Sequence, residues 1–285
     1  MRSLVARNLK VFFRDRASVF FSLLAVLIIL GLYVLFLGDV MMQEFSGVPG
    51  AKALSDSWIM SGILAVISVT TVLGAYGTMV DDRVHKIIKD FSASPLGRGK
   101  LAGSYIVSSF VVGSIMTLLA FALSEVYIVA RGGTLLSLAQ AAKVIGIILL
   151  SALSNTAMIS FLVSFLKSQN AFGTASSLVG TLIGFLTGIY MPVGVLPEAM
   201  QAVVKVFPVS HAALLLRRIM MEAPMGTVFA GAPEQTAQAF RTDMGLSYSL
   251  GGAQIPAYAS VAIIAGAALL FYALSVIRFS RKGKQ

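Results

Sequence analysis

Cysteine is absent from the sequence, and histidine occurs only twice, as His85 and His211. Without thiols the chain can form neither disulfides nor thiolate metal sites, and two imidazoles are too few for a multi-histidine metal centre within one chain. Charge is also scarce, since 12% of the residues are charged, against about 25% in soluble domains. Because 57% of the residues are hydrophobic and the mean hydropathy is +0.88, we expect a polytopic membrane protein rather than a soluble globular domain.

Motifs for catalysis are missing as well. A phosphate-binding loop needs the pattern G-x-x-x-x-G-K-[ST], but here Gly99-Lys100 is followed by Leu101, and Ser94 stands at the first glycine position. The centres of the long uncharged runs contain no ionisable residue, which an intramembrane enzyme or an ion-coupled carrier would require. No convincing inverted repeat of the secondary-carrier type is present either. We therefore expect no catalytic residue, no metal and no cofactor bound by this chain.

Six stretches are long and apolar enough to cross a bilayer, whose hydrocarbon core requires about 20 residues of helix. The predicted spans are residues 19–38, 58–80, 101–124, 144–166, 171–195 and 256–278. We expect an all-α membrane protein in which residues 17–285 form a single six-span transmembrane domain.

The distribution of basic residues predicts the orientation of these spans. With both termini in the cytoplasm, the inside segments hold 15 of the 22 Lys and Arg residues and the outside segments hold seven, as the positive-inside rule requires. The chain is therefore predicted to be a multi-pass protein of the plasma (inner) membrane. Since the formal charge of +10 is divided between the two sides, we expect contact with membrane lipids and no nucleic acid partner.

Residues 1–16 are predicted to form an amphipathic helix in the cytoplasmic interface. Apolar and basic residues recur at helical spacing on two different faces. The apolar residues are Val5, Leu9, Phe12 and Phe13, and the basic residues are Arg7, Lys10 and Arg14. The alternative is that these charges only orient the first span.

The segment 197–255 is predicted to lie outside the membrane and to contain short re-entrant or interfacial helices at 198–207 and 211–221, because each piece is too short to span. Residues 223–233, rich in Gly, Pro and Ala, are predicted to form a surface loop. Within span five, the overlapping G-x-x-x-G steps of Gly180, Gly184 and Gly188 favour close approach of another helix. A wet groove facing a substrate is the alternative.

The most informative stretch is the cytoplasmic loop 81–100, which reads DDRVHKIIKDFSASPLGRGK and joins the second and third predicted spans. From Phe91 to Leu101 it fits the pattern F-x-x-(S/T)-P-(L/I)-x-R-x-x-(L/I). This loop resembles the loop between spans two and three in the membrane (permease) subunits of type-2 ATP-binding-cassette exporters. The basic helix before span one and the exterior run from Met191-Pro192 through Phe207-Pro208 to Arg217 are similar to that family too.

The resemblance implies a half-transporter. A second permease subunit, identical or paralogous, would pair with this one, and a separate ATPase carrying ATP and Mg would dock on the loop 81–100, which forms the coupling helix of the family. Carried onto this sequence, the contact would involve Asp81, Arg83, His85, Lys86, Phe91, Pro95 and Arg98. In this interpretation Asp81 and Asp82 suit the start of a helix that ends near Phe91, before Pro95. The alternative is a solvated loop with orientation charges.

The substrate path in this family runs largely along spans one, two and five. Residues in those spans that could line it are Phe20, Phe21, Tyr33, Ser68, Thr71, Thr78, Thr181 and Thr187. The alternative is that the Ser and Thr hydroxyls bond their own backbone and the aromatic rings face lipid.

We therefore expect a transport subunit of an ATP-driven exporter for an amphiphilic substrate, such as a drug, a peptide or a lipid-like molecule. The alternative function is a membrane scaffold or assembly factor that uses the same loop to recruit a soluble protein. A neighbouring gene for an ATPase with a P-loop would favour the transporter.

Overall fold

The computed structural model describes residues 1–33, 48–88, 98–250 and 253–281, and these residues are mostly helical. The long helices are α1 (Arg2–Arg14), α2 (Arg16–Leu32), α3 (Ala51–Val84), α4 (Arg98–Ala130), α5 (Leu138–Val163), α6 (Gln169–Leu186) and α11 (Ala257–Arg281). The shorter elements between α6 and α11 are a 3-10 turn (Val193–Val195), α7 (Glu198–Val204), α8 (Pro208–Met220), α9 (Glu222–Val228), α10 (Glu234–Asp243), and the antiparallel pair β1 (Ser249–Leu250) and β2 (Ala253–Gln254).

Helix α3 is the central helix of the bundle. It packs against α2, α4, α5, α6 and α8, and 89% of its apolar stretch is buried inside the protein, against 22% for α11. A helix that is apolar on all sides is stable only when neighbours or lipid surround it. Small residues allow helices to pack this closely. At Gly113 of α4, for example, an added Cβ would collide with Val72 of α3.

Four of the described helices are long and apolar enough to cross a membrane, namely α3, α4, α5 and α11 up to Arg278. The pair α7 and α8 adds a fifth if the two helices, bent by 82° at their junction, count as one span. The chain is thus a helical multi-pass membrane protein, but the predicted count of six spans is not confirmed. Only residues 19–33 of the first predicted span are described, and α6 covers only part of the fifth.

Helix α6 ends at Leu186, short of the predicted end of span five at residue 195. Gly188 has a left-handed backbone (φ 68), and its N–H donates to the carbonyl of Phe185 while the N–H of Ile189 donates to that of Gly184, both at 3.0 Å. This is the hydrogen-bond pattern of a glycine-terminated helix. The chain stays apolar beyond Gly188, so hydropathy alone does not reveal the stop.

The predicted G-x-x-x-G face is not a helix contact in the described part of the chain. A Cβ at Gly184 would meet the ring of Tyr190, from the turn that follows α6, and a Cβ at Gly180 would meet nothing within 4 Å. Gly188 lies outside the helix. Gly184 and Gly188 therefore shape the turn after α6, and the approach of another helix to this face stays a prediction.

The segment after span five contains α7 and α8, close to the two short helices predicted there. Pro208 begins α8, at a position where its missing N–H is tolerated. The prediction of a loop over 223–233 is wrong in its first part, where α9 spans Glu222–Val228. Pro224 lies in the first turn of α9, where proline is compatible with a helix. A prediction based on the number of Pro and Gly residues therefore makes the loop too long.

Helix α1 packs against α2, α3 and α4. Its buried residues are Leu4, Asn8 and Phe12, whereas Phe13 of the predicted apolar face is exposed. The buried stripe is thus rotated from the predicted one, because Asn8 has a polar partner on α4. A location at the membrane interface stays a prediction.

Candidate functional site

The loop 81–100 begins within the last turn of α3. This helix continues through Asp81 and Asp82 to Val84, and the chain then turns at His85 and at Lys86, which has a left-handed backbone (φ 62). The N–H of His85 donates to the carbonyl of Asp81 at 2.9 Å, which closes the helix. The expectation that Asp81 and Asp82 start the next helix is therefore wrong.

Asp82 remains in α3 because it is the centre of a buried polar cluster. Its carboxylate accepts two hydrogen bonds from the guanidinium of Arg7 in α1, one of them from Nη2 to Oδ1 at 2.7 Å. A third comes from the hydroxyl of Tyr105 in α4 at 2.6 Å. The Asp82 side chain is 3% exposed and that of Arg7 is 32% exposed. Since the helix dipole disfavours an acid at a C-terminus, these donors compensate the carboxylate.

The cation of this cluster keeps its charge. The hydrogen bond with Asp82 raises the pKa of Arg7 above its ordinary value, and guanidinium groups are already protonated throughout the physiological range. The guanidinium of Arg7 is therefore cationic at any ordinary pH.

Two further contacts extend the cluster to other helices. The side-chain amide of Asn8 donates to the hydroxyl of Ser108 in α4 at 3.4 Å. Nη1 of Arg83 donates to the carbonyl of Leu166 at 2.6 Å and reaches that of Val163 at 3.4 Å, at the end of α5, where helix carbonyls carry partial negative charge. The middle of α1, the ends of α3 and α5 and the first part of α4 thus meet beside the loop 81–100, and we call this region the loop end.

The predicted ATPase contacts are only partly described. Asp81, His85 and Lys86 are exposed at the loop end, and Nδ1 of His85 lies 2.9 Å from the carbonyl of Asp81. Arg83 is half-buried and engaged by α5. Phe91 and Pro95 lie outside the described residues. Arg98 is the first residue of α4, but its side chain is not among the parts of the chain that the structure describes. Contact of these residues with an ATPase stays a prediction.

The predicted substrate-path residues differ in burial. The buried ones are Tyr33, Ser68, Thr71, Thr78 and Thr187, whereas Phe20, Phe21 and Thr181 are exposed. Several hydroxyls form hydrogen bonds inside their own helix or the bundle: Thr71 donates to the carbonyl of Ile67 at 2.7 Å, Thr181 to that of Ser177, and Ser68 accepts from Asn155 at 2.9 Å. That these residues line a substrate path stays a prediction.

Tyr33 belongs to a second buried carboxylate site, which the sequence did not reveal. Asp56 of α3 is 1% exposed and accepts from Nε of Arg131 at 2.9 Å and from the hydroxyl of Tyr33 at 3.2 Å. This site lies at the end of the bundle opposite to the loop end, which we call the far end. It joins α2, α3 and the end of α4.

Arg217 of α8 is the largest fully buried side chain at the far end. Its Nη2 donates to the carbonyl of Thr187 at 2.8 Å, and its guanidinium carbon lies 5.0 Å from the centre of the Trp58 ring. The sequence offers one signal, because Arg217 ends the exterior run that is similar to the family, but nothing in that run predicts its burial.

Membrane-length helices packed around α3 define a polytopic membrane protein. The family model described as ABC-2 family transporter protein matches residues 42–277, and the chain belongs to this family. It is therefore a membrane (permease) subunit of an ABC transport system, a subunit without a nucleotide-binding domain that works with a partner ATPase. The match leaves out α1 and α2. No curated protein matches the chain.

Proposed function

We propose that the chain is the permease of an exporter that moves an amphiphilic drug, peptide or lipid-like molecule out of the cytoplasm. ATP and Mg bind to a separate ATPase, which docks on the loop 81–100. A second permease subunit, identical or closely related, completes the transporter. The protein lies in the plasma (inner) membrane with both termini in the cytoplasm, and membrane lipids contact α1.

The observation that carries this proposal is the anchoring of the loop. Asp82 lies on the α3 side of the loop and Tyr105 on the α4 side, and the two share a hydrogen bond at 2.6 Å. Arg7 joins them from α1. A displacement of the loop therefore moves parts of three helices together, and one of these is the central helix α3.

The surface beside this cluster has the polar character that a soluble partner requires. Asp81, His85 and Lys86 are exposed there, so they are free to form rim contacts, which set orientation and association rate more than affinity. Arg83 instead ties α3 to the end of α5. We infer that it passes a displacement of the loop on to α5 rather than touching the ATPase.

Purification of the tagged chain from its native membranes in mild detergent tests the docking site. We expect an ATPase with a P-loop to co-purify, and we expect the double substitution Phe91→Ala and Arg98→Ala to remove it. Lys143→Ala, an exposed residue distant from the loop, is the matched control and should retain the ATPase. A chain that purifies alone, or a partner that is unaffected by the double substitution, would favour the scaffold function instead.

The transport direction needs a separate measurement. Inside-out membrane vesicles that contain the complex should accumulate a fluorescent amphiphile when ATP and Mg are added, because the cytoplasmic face is then outermost. Vesicles with Phe91→Ala and Arg98→Ala should not accumulate it. ATP-driven loss of a preloaded probe from the same vesicles would show import and contradict the proposal.

A further inference from the structure

The environment of Arg217 is unusual for a charged group. The residue is 0% exposed, and among the described residues no carboxylate forms an ion pair with it. Its Nε and Nη1 are buried and have no hydrogen-bond partner in that part of the chain. A buried charge is normally paired, because removing it from water costs several kcal/mol.

Within the described parts of the chain, the groups that compensate this guanidinium are neutral. The carbonyl of Thr187 comes from the C-terminal end of α6, where the helix dipole is negative, and the face of Trp58 contributes a cation–π contact. Nη1 also lies against two glycines, since a Cβ at Gly245 would come within 2.8 Å of it and one at Gly188 within 3.4 Å. We call these four residues the cage of Arg217.

The cage joins three separate parts of the far end. Thr187 and Gly188 belong to the turn after α6, Trp58 to α3, and Gly245 to the turn after α10. Nε1 of Trp58 donates to the carbonyl of Met244 at 2.8 Å, which closes the cage on one side. The guanidinium therefore stays compensated only while all three parts are packed together.

A cavity lies close to this cage. Arg218, Leu246 and Ser247, which adjoin the cage, line this cavity of about 730 Å³ between α9, α10 and the β1–β2 pair. The turn that contains Gly245 thus lies between the buried charge and this cavity. Both Gly188 (φ 68) and Gly245 (φ 73) have left-handed backbones, which glycine adopts at no steric cost.

We propose that Arg217 is a positioning residue for transport, whose buried charge, paired with no carboxylate among the described residues, raises the free energy of the closed far end and so favours its opening. When the turns separate from α8, the guanidinium regains its hydration and part of the cost of burial is recovered. An apolar side chain of similar size would instead hold the far end closed, as replacement of buried charges by well-packed apolar residues is often stabilising.

The proposal rests on the proposed function only in assuming that the far end opens during transport. Its test uses the cysteine-free background of the chain. A single reporter substitution, Thr187→Cys, places a thiol in the cage at a position that is 0% exposed. The rate at which a maleimide labels this thiol in the detergent-purified protein reports how often the cage opens. Neither the ATPase nor the membrane orientation enters the measurement.

We expect Arg217→Met and Arg217→Leu each to slow labelling of the reporter about tenfold, the factor that corresponds to a free-energy change of about 1.4 kcal/mol. Loss of a stabilising contact would speed opening rather than slow it. Because a nearby cation also promotes ionisation of a thiol, the rates are compared at a pH where the reporter thiol is fully ionised in every background, so that a slower rate reports slower opening. Labelling that is unchanged or faster in both variants, or failure of both to fold, would overturn the proposal. An ion pair with an acid outside the described residues would give that result.

The adjacent arginine provides the matched control. Arg218 is half-buried, and its Nε and Nη2 donate to the carbonyls of Leu246 at 2.6 Å and Ile255 at 3.3 Å. Arg218→Met should leave labelling of the reporter unchanged or faster. If it slows labelling as much as Arg217→Met does, the effect is not specific to the buried charge and the proposal fails. Tyr190→Cys, at an exposed position in the same turn, should be labelled rapidly in every background.

Discussion

Two arginines, Arg7 at the loop end and Arg217 of α8 at the far end, are held in opposite ways. At the loop end, Arg7 donates to the carboxylate of Asp82, which also accepts from Tyr105. At the far end, Arg217 has the carbonyl of Thr187 and the ring of Trp58, and no carboxylate among the described residues. One guanidinium is compensated by a full charge and the other only by dipoles.

This difference corresponds to different mechanical behaviour. A buried ion pair resists separation because each partner would be left uncompensated, so α1, α3 and α4 move as a unit at the loop end. A charge compensated only by dipoles gains hydration when its surroundings open. The cluster of Asp82 is thus suited to transmit a displacement, and the cage of Arg217 is suited to release one. The pair of Asp56 and Arg131 also holds α3 to the end of α4 at the far end, so the release concerns α8 and the turns around it.

The largest expected effect comes from removing the shared acceptor. Asp82→Ala leaves the guanidinium of Arg7 and the hydroxyl of Tyr105 without their partner, and breaking a buried pair in this way costs about 3 kcal/mol. The thermal unfolding midpoint in detergent should therefore fall markedly. Asp81→Ala, at the exposed neighbouring position, is the control and should change it little. Equal midpoints for the two variants would show that the loop end is not held by this cluster.

The next prediction compares the two arginines directly. Arg7→Met should lower the free energy of unfolding by about 2 kcal/mol, because Asp82 loses its cation, whereas Arg217→Met should raise it by about 1 kcal/mol. Denaturant titration of both variants beside the unmodified protein measures the two changes. Changes of the same sign would remove the distinction between the two ends.

A smaller effect is expected at the turn that presents the carbonyl of Thr187 to Arg217. Gly188→Ala forces a side chain into a left-handed backbone (φ 68) and should cost about 1 kcal/mol. Gly180→Ala, within α6 and with nothing within 4 Å of its added Cβ, should cost nothing or stabilise the helix slightly. The thermal unfolding midpoints of the two variants in detergent measure these changes in stability. Equal losses would mean that the turn after α6 is not set by the conformation of Gly188.

The four membrane-length helices α3, α4, α5 and α11 were predictable because long apolar runs are a property of local composition. The polar contacts between the helices were not predictable from the sequence. Arg7 and Asp82 are 75 positions apart, and each also has a plausible local role, one as an orientation charge and the other as a helix start. Hydropathy likewise cannot predict where α6 ends, because Gly188 ends the helix through its left-handed backbone conformation and not through its polarity.

Arg217 shows a different limit of sequence reasoning. Charged residues are usually excluded from buried sites unless paired, so an arginine in α8 argued for an exposed or interfacial helix. The fold buries it because Ser210, on the same helix, donates to the carbonyl of Leu186 and docks α8 against the end of α6. That contact depends on where α6 stops, which the sequence pattern did not give.

The smallest expected effect tests whether pairing or burial gives the loop end its strength. Arg241 and Glu234 form an ion pair at 2.8 Å, with side chains 40% and 78% exposed. Solvent screens such a pair and ordering the two side chains costs entropy, so it contributes about 0.5 kcal/mol or less. Glu234→Gln should therefore barely shift the unfolding midpoint, although it breaks the same kind of pair as Asp82→Ala. If the two substitutions cost the same, pairing itself would be decisive, and the burial of Asp82 would explain nothing about how the loop end is held.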